Sequence, residues 1–146
     1  MEDKIRVLVV DDEEVVRLGY RRVLSADGFR VKAAGNGPEA LNMMVGDPFD
    51  VVLLDMRMPG MDGMEVLRAI KEQWPQSEVV VVTGYPSIET AKEAVKLGAY
   101  DYLAKPVVPE AVIRATTGAW MQKRWAIQRE SAAGVKPGCA VGSLDN

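Results

Sequence analysis

Short apolar runs recur along the chain and predict buried strands. Four of them are almost continuously hydrophobic, and they cover residues 5–10, 50–54, 79–82 and, more weakly, 100–103. Continuous apolar character over such a short length is typical of strands that are buried on both faces of a sheet. A fifth run, residues 29–33, alternates between apolar and polar side chains, which predicts a strand at the edge of the sheet.

Segments with helical periodicity lie between these runs, at residues 14–25, 38–45, 63–72 and 87–97. The first of them predicts a broad apolar side made of Val15, Val16, Leu18, Val23 and Leu24. Strict alternation of strands and helices with short connections predicts a parallel sheet that is covered by helices on both faces. In such sheets the functional crevice lies outside the carboxyl ends of the strands.

A last helical pattern covers residues 107–130, which is longer than one helix needs to cover a sheet. The residues expected to cover the sheet are Val108, Val112, Ala115, Ala119 and Trp120. Trp125 and Ile127 fall beyond that cover, so they are expected to need another partner. Residues 131–146 are small and unpatterned and predict a flexible tail. The chain is therefore expected to hold one domain, residues 4–130, followed by this tail.

Composition narrows the chemistry that the chain can perform. Its 146 residues suit one compact domain, and its net charge of −3 gives no general attraction to nucleic acid or anionic membranes. A membrane-length apolar run and a signal peptide are both missing from the sequence, which predicts a cytoplasmic protein. Cys139 is the only cysteine and there is no histidine, which excludes an internal disulfide, a zinc-thiolate cluster and histidine catalysis.

Polar residues follow the apolar runs at the points where the predicted strands end. Asp11 and Asp12 follow the run at residues 5–10, Asp55 the run at 50–54, and Thr83 the run at 79–82, while Lys105 comes just after the run at 100–103. Three carboxylates at one edge repel each other unless a cation such as Mg²⁺ neutralises them. An ammonium and a hydroxyl beside that cation would suit a phosphoryl group carried by Asp55, because phosphoryl transfer depends on positioning and charge neutralisation.

Each of these residues also has an ordinary structural interpretation. Asp11 and Asp12 could be a charge cluster at the start of a helix, and Asp55 could cap the next turn. Thr83 could be a strand-end hydroxyl and Lys105 a surface lysine. It is their joint position, each at the same end of a different strand, that favours a site.

Four segments together resemble the receiver domains of bacterial two-component response regulators. They are residues 9–13 (VVDDE), 53–63 (LLDMRMPGMDG), 82–85 (VTGY) and 98–106 (GAYDYLAKP). The stretch from 84 to 103 is similar to receivers of nitrogen-regulation-type activators. The resemblance implies an α/β fold, a flavodoxin-like doubly wound parallel sheet of five strands in the order 2-1-3-4-5, here with an extended last helix.

The resemblance also implies which residues hold the cofactor, Mg²⁺, for which Mn²⁺ can substitute. Asp55 is the implied phosphoacceptor. Asp12 and Asp55 would bind the ion through their side chains and Arg57 through its backbone carbonyl. Asp11 would contribute indirectly or through a bound water.

The remaining roles follow from the same resemblance. Thr83 and Lys105 would bind the phosphoryl group, and Thr83 and Tyr102 would act as the switch residues. The bond between Lys105 and Pro106 is expected to be cis, an isomer that is accessible before proline. The function implied is a phosphorylation-activated signalling switch in a phosphorelay, not an enzyme that turns over free substrates.

The implied partners are a sensor histidine kinase or phosphotransfer protein, and a second copy of the chain through the fourth helix, fifth strand and last helix. Direct binding of nucleic acid or membranes is not expected.

Three alternatives remain open at this point. The chain could be the excised N-terminal receiver of a DNA-binding transcriptional regulator. A flavin carrier of flavodoxin type would need a phosphate-binding loop where residues 11–14 are all acidic. A Mg²⁺-dependent phosphatase would be expected to have a second acid two residues after Asp55, where Arg57 stands instead.

Overall fold

The computed structural model describes residues 4–135 of the chain, in which five strands and five helices alternate. The strands are β1 (Arg6–Val10), β2 (Arg30–Ala34), β3 (Val51–Asp55), β4 (Glu78–Thr83) and β5 (Asp101–Ala104). The helices are α1 (Glu14–Ala26), α2 (Gly37–Gly46), α3 (Gly63–Gln73), α4 (Ile88–Lys96) and α5 (Pro109–Val135).

All strand pairs are parallel, and the order β2-β1-β3-β4-β5 is the one that the resemblance implied. β2 lies at an edge, as its alternating pattern predicted. The register aligns Val10 with Leu54, Asp55 with Val82 and Thr83 with Ala104. The carboxyl ends of the strands therefore meet along one edge of the sheet.

Alternate residues of the central strands pack on opposite faces of the sheet. Leu8 of β1 belongs to a core that also contains residues of α2, α3 and α4, whereas Val9 belongs to a core shared with α1 and α5. β1, β3 and β4 are buried on both faces, which explains why residues 7–10, 51–54 and 79–82 are continuously apolar. Burying one Val or Leu side chain completely contributes about 1.5–3 kcal/mol to folding.

The apolar side predicted for α1 is wrong for part of the helix. Leu24 is buried, but Val15 and Leu18 are 82% and 51% exposed. Val15 lies nine positions before the buried Leu24 and therefore on the opposite side of the helix, whereas Val16 and Tyr20 are half-buried. A similar correction applies to Val108, which was expected to cover the sheet and is 58% exposed.

α5 is longer than the sequence predicted, because its 27 residues continue to Val135. Val112, Ala115 and Ala119 are buried against the sheet as expected, and Trp120 is partly buried. Trp125 is 54% exposed, and the guanidinium carbon of Arg129 lies 4.3 Å from the centroid of its ring. The predicted tail thus begins inside a helix, and residues 136–146 lie outside the described part of the chain.

The strands begin at the opposite edge, here called the amino edge and defined by Arg6, Asp50 and Glu78. α3 and α5 run back towards it, which places Trp74 at the end of α3 and Trp120 and Trp125 in the later part of α5 at this edge. Within residues 4–135, no helix is long and apolar enough to cross a membrane.

Candidate functional site

The carboxyl ends of the strands bring the predicted polar residues together. Asp11 directly follows β1 and is 2% exposed, Asp55 ends β3 and is 5% exposed, and Thr83 ends β4 and is 1% exposed. Asp12 is exposed, and Lys105 directly follows β5. We call the edge formed by these five residues the carboxyl edge.

Lys105 links the two buried carboxylates. Its Nζ lies 2.9 Å from Oδ2 of Asp11 and 3.6 Å from Oδ1 of Asp55. Burial alone would lower the pKa of Lys105, but the hydrogen bond to Asp11 and the charges of Asp11 and Asp55 outweigh burial and raise it. The ammonium is therefore charged at neutral pH and lies within the group of acids.

Asp55 is less readily ionised than an ordinary aspartate. Burial is the main reason why its pKa is raised, and the charge of Asp11 adds to the effect. Lys105 and a 3.4 Å hydrogen bond donated by the backbone N–H of Arg57 lower the pKa in part. A cation close to Asp55 would therefore favour its ionised form.

The three aspartates can supply oxygen atoms to one cation. One carboxylate oxygen from each of Asp11, Asp12 and Asp55 can be chosen so that all three lie within 4.8 Å of one another. Carboxylate oxygens are the ligands that hard divalent ions such as Mg²⁺ prefer, and such an ion keeps several of its waters. The residues present therefore fit a Mg²⁺ ion.

Asp11 is also part of the turn that starts α1. Its Oδ1 accepts a hydrogen bond of 3.0 Å from the N–H of Glu13, and its carbonyl accepts one of 2.7 Å from Nη1 of Arg17. The interpretation of Asp11 as a helix-start residue is therefore correct for one oxygen, while the other oxygen faces Lys105. Sequence reasoning did not identify Arg17, which has the helical spacing of an ordinary surface residue.

The loop after Asp55 is held in place by the start of α3. The Asp62 side chain accepts a hydrogen bond from Met64 N–H, and the Glu65 side chain accepts one from Asp62 N–H, which forms a capping box. A Cβ atom on Gly63 would lie 2.6 Å from the Cα atom of Met56, so no side chain fits there. The close approach of Gly63 fixes the backbone that carries Arg57.

Arg57 and Tyr85 bridge two loops beside the site. The guanidinium carbon of Arg57 lies 4.0 Å from the centroid of the Tyr85 ring, and the Tyr85 N–H donates a 3.0 Å hydrogen bond to Oγ1 of Thr83. The sequence marked both residues only as bulky neighbours of the site. Their contact depends on how two separate loops approach each other, and no local pattern encodes that.

Tyr102 connects β5 with the start of α4. Its hydroxyl lies 2.5 Å from Oγ1 of Thr90 and accepts a 3.3 Å hydrogen bond from the N–H of Ser87. Ser87 is also the N-cap of α4, because its side chain accepts a hydrogen bond from Thr90 N–H. Ser87 and Thr90 were missed, although a serine before a helical pattern is a usable signal.

The backbone around Lys105 agrees with the expected isomer. The Lys105–Pro106 bond is cis, and the Lys105 N–H donates a 2.7 Å hydrogen bond to the carbonyl of Thr83.

Tyr20 of α1 interacts electrostatically with the site. Burial raises the pKa of Tyr20, the positive charge of Lys105 lowers it, and the negative charges of Asp11 and Asp55 raise it further. Sequence reasoning gave Tyr20 no role.

The chain is similar to a known protein family and to individual proteins. Residues 7–117 match the family model described as response regulator receiver domain. A putative response regulator, NtrX-like, from Rickettsia bellii is 42% identical over 104 residues, which is 70% of this chain and 22% of that protein. The transcriptional regulatory protein ZraR from Klebsiella oxytoca is 43% identical over 105 residues, 72% of this chain and 24% of that protein.

A solved structure has the same architecture. The CheY-like response regulator receiver domain protein from Methanospirillum hungatei superposes with a TM-score of 0.82 at 27% identity. The match covers 85% of this chain and 99% of that one. By contrast, this chain spans less than a quarter of the length of the two curated relatives.

Proposed function

The chain belongs to the response-regulator receiver domain family, and on that premise we propose that it is a phosphorylation switch whose phosphoacceptor is Asp55. Receiver domains of two-component systems are phosphoacceptors that bind Mg²⁺ at an acidic pocket. The observation that supports the assignment to Asp55 is its position at the carboxyl edge. It is buried, one of its carboxylate oxygens lies within 4.8 Å of oxygens of Asp11 and Asp12, and it lies 3.6 Å from the Lys105 ammonium.

Mg²⁺ would be held by the carboxylates of Asp12 and Asp55 and the backbone carbonyl of Arg57, with Asp11 contributing through a water. The ion, when bound, neutralises charge on the oxygens of the incoming phosphoryl group. The exposed position of Asp12 leaves its carboxylate open to ions from solvent. Burial and the charge of Asp11 raise the pKa of Asp55, and the positive charge of the ion would favour its ionised form.

The proposed reaction forms one bond and breaks one. A carboxylate oxygen of Asp55 attacks the phosphorus, the bond between phosphorus and the donor breaks, and the donor leaves with that electron pair. Lys105 pairs with the phosphoryl oxygens, since its Nζ already lies within reach of Asp55. Thr83 uses Oγ1 as an acceptor for Tyr85 N–H, so its own O–H is available to donate to a phosphoryl oxygen.

The switch would connect Thr83 with Tyr102. When Thr83 moves towards the phosphoryl group, space opens for the Tyr102 ring to turn inward. In the present arrangement its hydroxyl contacts Ser87 and Thr90, so turning would cost these contacts and free the start of α4. Phosphorylation would shift the population between the two arrangements.

The phosphoryl donor must be another molecule, because the chain contains no histidine. We propose a sensor histidine kinase or a phosphotransfer protein. Hydrolysis of the aspartyl phosphate would reset the switch, so the chain would act as a self-catalysed phosphoacceptor and not as an enzyme with turnover on free substrates. We place the domain at residues 4–130, with α5 continuing beyond it.

Acetyl phosphate, a small donor that needs no kinase, tests this function directly. We expect the protein to gain the mass of one phosphoryl group when Mg²⁺ is present, and peptide mapping to place it on Asp55. Chelation of divalent ions should suppress the gain. A phosphoryl group on another residue, or labelling that ignores chelation, would contradict the proposal.

The second candidate is the receiver module of a longer transcriptional regulator. One observation favours it: the chain spans 24% of a relative named as a transcriptional regulatory protein. The switch at Asp55 would be the same, and the output would lie elsewhere in the regulator. The flavin carrier is disfavoured, because the carboxylates of Asp11 and Asp12 lie at the place where a flavodoxin-type carrier would bind phosphate.

We also propose that the chain self-associates through α4, β5 and α5, because α4 carries exposed apolar side chains. Ile88 and Val95 of α4 are 75% and 66% exposed, and lysines and glutamates alternate beside them on the same helix. Such a surface is self-complementary, because a two-fold axis can place the lysines of one copy against the glutamates of the other. The proposed occupant of this face is therefore a second copy of the chain.

Light scattering with and without beryllofluoride, a mimic of the phosphoryl group, tests self-association. We expect the parent to shift from monomer to dimer with the mimic, and a variant with Ile88→Ser and Val95→Ser to dimerise at least about 10-fold more weakly. Val45→Ser is the control, because Val45 is 68% exposed on α2, away from this face. An unchanged mass of the parent over a wide concentration range would exclude the dimer.

A further inference from the structure

A second group of charged residues lies at the amino edge of the sheet. Asp50 directly precedes β3 and Glu78 begins β4. These are the two strands whose other ends carry Asp55 and Thr83. The proposed phosphorylation chemistry uses none of the residues at the amino edge.

Lys123 of α5 reaches this edge from one face of the sheet. Its Nζ lies 2.6 Å from Oδ1 of Asp50, and the side chains of the pair are only 15% and 20% exposed. The other oxygen of Asp50 accepts a 2.9 Å hydrogen bond from the N–H of Arg6. Asp50 is therefore fixed by the start of β1 and presents its remaining oxygen to α5.

Lys71 of α3 reaches the same edge from the opposite face. Its Nζ lies 3.7 Å from Oε1 of Glu78 and donates hydrogen bonds of 2.9 Å to the carbonyls of Pro75 and Ser77. Burial raises the pKa of Glu78, and the positive charges of Lys71 and Lys123 lower it. The amino edge thus pairs two partly buried acids with lysines from helices on both faces.

A further contact lies on α5 beyond Lys123. Nε2 of Gln76, in the segment that leads into β4, lies 3.0 Å from Oε1 of Glu130. Glu130 lies seven positions after Lys123, which is about 10 Å along the helix axis. Two points on the same helix therefore contact the amino edge, and two points are enough to define a direction.

These contacts are not needed to cover the sheet. The last buried residue of α5 is Ala119, one turn before Lys123, among the side chains that the structure describes. Beyond it, Trp120, Ala126 and Ile127 are only half-buried and Trp125 is more than half exposed. A helix segment whose apolar side chains are only partly buried is free to bend or fray unless polar contacts hold it.

We propose that Lys123, through Asp50, and Gln76, through Glu130, anchor the last helix to the amino edge and set the direction in which it leaves the domain. Lys123 supplies the stronger contact because its ion pair is shielded from water, whereas the contact of Gln76 is exposed. The anchor is independent of the proposed phosphorylation. It gives α5 a defined direction relative to the sheet over the described residues.

Electron–electron distance measurements between two spin labels test the anchor on the full chain. Cys139 is replaced by serine, and labels are attached at Asn42→Cys on α2 and Gln128→Cys on α5, both exposed positions. We expect a narrow distance distribution in this background. Combining Lys123→Met with Gln76→Ala should broaden the distance distribution at least about two-fold. Lys123→Arg, which retains the charge, should leave the distribution nearly as narrow as in this background.

Arg124→Met is the matched control, since it removes one positive charge from the neighbouring exposed position of the same helix. It should leave the distribution narrow. If the variant at Lys123 does not fold, Asp50→Asn tests the same pair, because the amide oxygen can still accept from Arg6 N–H. An unchanged distance distribution in the folded Lys123→Met, Gln76→Ala variant, or in the folded Asp50→Asn variant, overturns the anchor. Labelling by acetyl phosphate should match the parent in each folded variant, so failure of the anchor is distinguishable from failure of the switch.

Discussion

Asp55→Asn is expected to abolish phosphoryl incorporation, with a loss of at least about 1000-fold in the labelling rate. The amide has the shape of the carboxylate but lacks the negatively charged oxygen that attacks phosphorus. The fold should persist, because the substitution removes a buried charge that is already disfavoured. Burial and the charge of Asp11 raise the pKa of Asp55 in the parent, so the neutral side chain relieves repulsion in the metal-free protein.

Intact mass after incubation with acetyl phosphate and Mg²⁺ measures this effect, and thermal unfolding establishes that the variant is folded. Asp50→Asn provides a matched control, because Asp50 directly precedes the strand that Asp55 ends and is also partly buried. It should be labelled at the parental rate. Equal labelling of Asp55→Asn and the parent would remove Asp55 from the mechanism and leave the rest of the acidic edge to be reassigned.

Asp12→Ala is expected to raise the Mg²⁺ concentration needed for half-maximal labelling at least about 10-fold. Asp12 is exposed, so its loss creates no cavity and costs little packing. It does remove one of three carboxylates that could share a cation. Without metal, the variant should unfold at the same temperature as the parent or higher, since the charge of Asp12 contributes to raising the pKa of Asp55.

The pH dependence of unfolding gives this prediction a second measurement. Folding raises the pKa of Asp55, so the metal-free folded protein binds a proton there more readily than the unfolded chain does. The contribution of Asp55 to stability is therefore largest at low pH and is lost as the pH rises from the ordinary aspartate pKa through the raised one. Asp12→Ala should weaken this loss.

Glu14→Ala is the control for Asp12, because Glu14 is an exposed acid in the first turn of α1 outside the group of three carboxylates. It should change neither the Mg²⁺ requirement nor the pH profile. An Asp12→Ala protein with the parental Mg²⁺ requirement would contradict its role as a metal ligand.

The strands and the carboxyl edge could be predicted because each depends on short, local patterns. The central residues of β1, β3 and β4 are all apolar since both faces of these strands are covered, and the polar residue after each apolar run marks the edge. Parallel pairing then brings Asp11, Asp55, Thr83 and Lys105 together without knowledge of any helix position. The resemblance added the strand order and the cis bond before Pro106, both of which are confirmed.

Contacts between distant elements could not be predicted in this way. Lys123 and Asp50 are 73 residues apart, and each alone is typical of a solvated surface. The apolar residues Val15 and Leu18 of α1 show the converse error, because an apolar helical pattern does not tell how wide a side of the helix is buried. The stacking of Arg57 on Tyr85 likewise depends on two loops whose separation no sequence pattern sets.

All three tryptophans of the chain lie at or near the amino edge, so intrinsic fluorescence reports on that edge and not on the site around Asp55. Ion binding between the aspartates should barely change the emission, whereas release of α5 should shift the spectrum of Trp120 to the red as water reaches its ring. The tryptophan emission of the parent chain therefore reports the position of α5 without an added label. A Tyr85→Trp substitution, at a ring 4.0 Å from the Arg57 guanidinium, would give the proposed phosphorylation site a separate fluorophore.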